Sequence, residues 1–201
     1  MNGYVQDTLY FYHCTPPKKI QLSPHKHTYI SYGYSVQYAM KANSIPPLNL
    51  LVIKLFQFIV FVLLYYSWSV DNKLPVALGA IGSHQSSATE RTSAAITQLL
   101  NYIATYPNYI ITYCASSLVL AGKFVVSFLN EIKSRRWSGD NIFLSEDVPI
   151  PSNNGPLLNI SQIVKFVKSS AVEAELAALV VVTKHMVPLH QTLIKMGFPQ
   201  P

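Results

Sequence analysis

His25 and His27 stand one residue apart, a spacing that puts two imidazoles on one face of an extended strand and makes a candidate metal site. No cysteine or carboxylate partner lies beside them, so the pair alone is a poor ligand set. Asp140, Glu146 and Asp147 form an acidic trio that could hold a divalent cation, but their setting is that of a loop, and a solvated acidic patch is the better expectation. Lys133, Arg135 and Arg136 are a basic cluster suited to a phosphate backbone, or equally an ordinary solvated turn. His185 and His190 fall near an expected helix junction, where they would cap or face solvent. Cys14 and Cys114 lie too far apart for a zinc module or a disulfide framework and read as plain thiols. The chain contains no G-x-S-x-G, no P-loop and no G-x-G-x-x-G, which leaves serine-hydrolase and common nucleotide-binding chemistries without their motifs.

The elements that must position these groups come from a chain of 201 residues, enough for one ordinary domain with an arm or for two half-domains. Half the residues are apolar and only 12% are charged, so little polar surface keeps the chain in water. A net charge of +6, spread rather than clustered, suits a polyanion such as nucleic acid or an acidic membrane surface. The first residues lack the basic-then-apolar pattern of a secretory signal, which gives an intracellular expectation, cytoplasmic or nuclear for a soluble chain. Leu55 to Val70 is a run of sixteen uncharged residues. As a helix it would span ~24 Å, short of the ~30 Å hydrocarbon core of a bilayer. Extending it to Leu48 brings in Lys54, which would have to snorkel. A buried helix is the main expectation, and a membrane anchor over 48–70 the alternative.

Residues 1–47 are punctuated by Pro16, Pro17, Pro24, Pro46 and Pro47 and read as an irregular arm. Ser87-Ala-Thr-Glu90 reads as a capping box opening a helix whose Ile96, Leu99, Leu100 and Ile103 repeat at helical spacing up to Pro107. Residues 110–128 read as one or two strands bending at Gly122, and Asn141 to Leu144 and Leu157 to Val164 as further strands. Ser170 with Glu173 caps a third helix, and Pro188 is expected to start a short final one closed by Gly197.

Several strings, in order, carry a resemblance: SPHKHTYISYGYSVQY (23–38), QFIVFVLLYYSWSVDNKLPVALGAIGS (57–83), LLNYIATYPNYIITYCASSLVL (99–120), NGPLLNISQIVKFVKSSAVEAELAAL (154–179) and MVPLHQTLIKMG (186–197). Together they resemble the copia-type retrotransposon Pol polyprotein, from the end of its reverse transcriptase through most of its RNase H domain. The resemblance implies an α/β fold, an incomplete RNase H-like mixed sheet with flanking helices over 110–201. A helical connection region over 48–109 and the irregular arm would precede it. It also implies a parent activity, two-metal hydrolysis of the RNA in RNA–DNA hybrids with Mg²⁺ held by several carboxylates.

By this resemblance the first aspartate, in a pattern like HSDASYLSE, falls at Val125 of GKFVVSFLNE, and a valine binds no magnesium. Glu175 of SSAVEAELAAL fits the helix carboxylate, while Glu173 is explained as a capping residue. The third carboxylate falls beyond Pro201, which also leaves a sheet edge exposed. Lys133, Arg135 and Arg136 keep the phosphate-binding place. Trp137 adds bulk before the second strand, and Trp68 and Phe61 depart from a positive residue and a glycine. The polymerase aspartate pair is absent. The expectation is therefore an inactive relic with no cofactor of its own, no small-molecule substrate, and weak binding of hybrid or other nucleic acid. A non-catalytic nucleic-acid-binding module is the neighbouring alternative.

Overall fold

Asn49 opens the longest apolar helix of the chain by accepting the Leu51 N–H on its side-chain oxygen at 3.1 Å. The computed structural model describes residues 3–26, 45–126, 136–164 and 170–201. These divide into two compact units, 3–26 with 45–110, and the described residues from 111 onward. The chain is α/β.

The first unit is helical, with α1 at Tyr4–Phe11, α2 at Leu50–Ser69, α3 at Pro75–Ser83, a 3-10 turn at Gln85–Ser87 and α4 at Glu90–Thr105. On α2, Ile53, Phe56, Val60, Leu63 and Ser67 recur three or four residues apart and form the buried stripe. The apolar members of that stripe meet Leu74, Leu78 and Ile81 from the α3 side and Ile96, Leu99, Leu100 and Ile103 of α4 in one core. The α4 residues are those expected from the helical repeat. Each buried leucine or isoleucine contributes about 1.5–3 kcal/mol.

Two expectations here are corrected. Residues 1–47 are not wholly irregular, because Gly3 (φ 86°) turns the chain into α1 and Tyr4 anchors that helix by donating from its hydroxyl to the Val62 carbonyl at 2.9 Å. The α4 cap is Thr89, not Ser87: the Thr89 N–H donates to Thr92 Oγ1 at 3.2 Å, and Ser87 closes the preceding 3-10 turn. A helix started at Ser87 would place that turn inside α4.

The second unit holds β1 at Val119–Val126, β2 at Arg136–Ser145 and β3 at Pro156–Val164, followed by α5 at Ala171–Lys195. The strands pair antiparallel in the order β1-β2-β3, with a bulge between Ile142 and Phe143, so the sheet is antiparallel among the described residues rather than mixed. Ala174, Ala178 and Val182, four residues apart, are the buried stripe of α5. Ser170 caps this helix as expected, its hydroxyl accepting the Glu173 N–H at 3.1 Å.

Pro188 does not start a new helix; α5 runs through it to Lys195. The residue is exposed, so the N–H missing from the ladder leaves a carbonyl that water reaches. Nor does Gly122 bend β1, which keeps regular register there with Ile142. Its lack of a side chain serves a close approach: an added Cβ would lie 2.8 Å from Met186 Sδ and 3.5 Å from Val182 Cγ1 on α5. Residues 110–118, expected as strand, stay outside the ladder and are clipped in place by side chains. The Cys114 N–H donates to Asn154 Oδ1 at 2.7 Å, and Asn154 Nδ2 returns bonds to the Cys114 and Leu144 carbonyls.

Candidate functional site

Strand alternation decides what the sheet can present. Gly122 lies under Met186 and Val182, so Leu120, Gly122, Phe124 and Val126 face α5 while Ala121, Lys123 and Val125 face the other way. Val125 is 72% exposed on that far face, opposite Gly139 of β2. Glu175 is exposed, between the buried Ala174 and Ala178 of α5. The two positions therefore do not share a face, and neither face of β1 carries a carboxylate.

The carboxylate turned toward α5 is Asp140. It sits in β2 between Phe124 and Ile160 and is only 4% exposed. This corrects the expectation of a solvated loop acid. Ser138, two residues back on the same face, donates its hydroxyl to Asp140 Oδ1 at 2.8 Å, and Oδ2 is buried without a hydrogen-bond partner. Burial pushes the Asp140 carboxyl above its ordinary value, against opposing pulls from the Ser138 hydroxyl and the charge of His185. Glu146 and Asp147 are exposed in the loop after β2, where Ser117 Oγ donates to Glu146 Oε2, so the acidic trio is split.

The basic cluster is seen only at one end. Arg136 opens β2 opposite Val164, whereas Lys133 and Arg135 lie outside the described residues, as does His27 of the imidazole pair. His185 and His190 both lie within α5, with no junction beside them. Cys14 is half-buried, which pushes its thiol up, and Cys114 is exposed; both are free. Among the described residues no group of three or more His, Cys, Asp or Glu side chains is arranged to hold a metal ion.

Sequence reasoning misplaced one buried acid, Asp140, in a loop and passed over a second, Asp71. Asp140 was legible from alternation, since Ser138, Asp140, Ile142 and Leu144 share one face and Ile142 anchors that face in the core. Asp71, 1% exposed, closes the turn after α2 by accepting the Lys73 N–H on Oδ1 at 3.1 Å. Its signal was the Asx-turn pattern in VDNKLP.

No protein-family model matches this chain, and neither a curated protein nor a solved structure does.

Proposed function

We propose that this chain is a degenerate relic of a copia-type retroelement polyprotein, with a connection-type helical unit and an RNase H-like unit that no longer cleaves. Weak binding of RNA–DNA hybrid or other nucleic acid is its remaining capacity. The observation that carries the reading is the element order of the second unit, three antiparallel strands followed by a helix across one face. Three of the quoted strings overlap those elements, which supports the reading: GKFVVSFLNE begins in β1, NGPLLNISQIV runs through β3, and SSAVEAELAAL opens α5.

Two-metal hydrolysis needs several carboxylates around one pair of ions. In this reading Val125 has replaced the first of them, and Glu175 alone does not hold two Mg²⁺ ions. Lys133, Arg135 and Arg136 are then the phosphate contacts. The test is cleavage of a labelled RNA–DNA hybrid by the purified chain with Mg²⁺ or Mn²⁺, beside Glu175→Gln. Equal silence is expected; cleavage that depends on Glu175 would overturn the reading. Hybrid binding, followed by band shift, should weaken steeply between low and moderate salt.

A second reading, a small membrane protein anchored by residues 48–70, has one observation in its favour. α2 is 20 residues long with mean hydropathy 2.1, and Leu51, Phe58, Phe61, Tyr65 and Trp68 are exposed along it. Release from membranes by alkaline carbonate would reject that anchor, and release by detergent alone would support it.

A further inference from the structure

We propose that the cleft beside the turn between α2 and α3 is a nucleotide site, which takes a planar base against Tyr106 and its neighbouring tyrosines and a phosphate on Lys73. The site lies wholly in the first unit and does not depend on the RNase H-like reading. Its cavity of about 460 Å³ has Leu22, Pro24, Lys73, Tyr102, Tyr106 and Tyr109 among its lining residues. That size falls in the range of small-molecule sites, roughly 300–1,000 Å³.

Four features fit a flat ring bearing an anion. First, the Tyr102 and Tyr106 rings stand 5.2 Å apart at 51°, both line the cavity, and Tyr106 is 40% exposed. Second, Lys73 is exposed and its ammonium lies 4.9 Å from the centre of the Tyr109 ring, with the buried Asp71 carboxylate attracting it from the protein side. Third, both Lys73 and Tyr109 are held from behind. Asp71 fixes the Lys73 backbone, and the Tyr109 hydroxyl donates to Asn72 Oδ1 at 3.1 Å. Fourth, Tyr102 is only 3% exposed and belongs to the helical core, so the part of the cavity wall it lines is packed from behind.

A nucleotide joins base and phosphate in one ligand, whether free or within a single strand, and a chain with net charge +6 favours either form. The leucine and proline side chains suit the apolar face of a base, and Asn108, which also lines the cavity, offers an amide to its polar edge or to the sugar. The tyrosine ring faces tolerate any base, so sequence preference should be slight.

The experiment is calorimetric titration of the full chain with adenosine 5′-monophosphate, adenosine and an eight-residue deoxyadenosine strand, with Lys73→Ala and Tyr106→Ala beside the wild type. Both side chains are exposed, and unchanged far-ultraviolet circular dichroism and melting temperature verify that each variant folds. The monophosphate should bind at least ~5-fold more tightly than adenosine, and Lys73→Ala should erase that difference. Tyr106→Ala should weaken both ligands by roughly 5-fold or more, the worth of one stacked base. Strand binding that falls in both variants, without binding of the monophosphate, assigns the site to nucleotides within a strand. Binding of none of the three, equal affinity for adenosine and its monophosphate, or a response to only one substitution would overturn the proposal.

Discussion

Each unit buries one aspartate, and the two are used differently. Asp71 in the helical unit closes a turn: its Oδ1 accepts the Lys73 N–H, the carbonyl of Asp71 accepts the Leu74 N–H, and α3 begins at Pro75. Asp140 in the sheet unit closes nothing; it takes one hydroxyl from its own strand and leaves Oδ2 buried without a partner. Burial raises both carboxyls, yet only Asp71 has a backbone donor pulling the other way. The surroundings differ too. Asp71 lies at the margin of a continuous apolar core built from all four α-helices of its unit, whereas Asp140 lies under a single helix that meets the sheet through small side chains, Ala174, Ala178 and Val182. The first unit is packed by large side chains from several helices, and the second by small side chains of one helix over the sheet.

The largest effect that separates the two is truncation of Leu63, 1% exposed at the centre of the helical core. Leu63→Ala should cost about 2–5 kcal/mol, because the cavity cannot collapse among neighbours fixed on three other helices. Urea unfolding followed by Trp68 fluorescence in a Trp137→Phe background measures it; a loss under about 1 kcal/mol would mean this core is loosely packed. The matching test of the sheet unit adds volume instead. Gly122→Ala places a Cβ 2.8 Å from Met186 Sδ, near the end of a flexible side chain that can turn aside. The cost should therefore be about 0.5–1.5 kcal/mol, most of it recovered by Met186→Ala in the same chain. Failure of that rescue would show that the strand backbone, not the thioether, resists.

Asp140 comes next, with the opposite sign. A carboxyl raised in the folded state binds its proton more tightly there, so its contribution is most favourable below about pH 4 and is lost as pH rises through the raised value. Asp140→Asn keeps the acceptor for Ser138 and removes the buried charge. The variant should melt higher than wild type at pH 7, by roughly 2 °C, and match it near pH 4. A lower melting point at pH 7 would mean that the charge itself is satisfied, by a bound cation or by His185.

Much of the helical unit was legible because a repeat of 3.6 residues is a strong signal over sixteen residues of α4, and the same residues are buried. α1 was hidden by the prolines of the arm, although Pro16, the first of them, follows the helix end at Phe11. Pro188 misled for a related reason: a missing N–H breaks a buried helix turn but is tolerated on an exposed one. At the candidate site, the resemblance aligned Val125 and Glu175 by residue order, and order alone does not say which way a strand residue points. That parity was set by Gly122, whose packing against Met186 joins positions more than sixty residues apart. Asp140 was misread because a charge beside glycine and asparagine looks like a loop, whereas its face partner Ile142 is fully buried.

The smallest expected effect concerns the outer edge of β1, which among the described residues pairs with β2 on one side only. Gln200 serves there as a short substitute strand. The Leu120 N–H donates to its Oε1 at 2.8 Å, and its Nε2 donates to the Leu118 carbonyl at 3.0 Å. Leu118, at φ 60°, sits where the chain turns into the ladder, so the amide group ties down a strained entry as well as an open edge. Gln200→Ala removes both bonds at a site water can reach, and the cost should be about 0.5–1.5 kcal/mol. Global unfolding will barely register that. Amide hydrogen exchange reads it directly: protection at Leu120 should fall several-fold while Phe143, fully buried in the central strand β2, keeps its rate. Equal acceleration at both amides would mean that Gln200 holds the whole sheet unit together, and that the unit depends on its edge as much as on the face covered by α5.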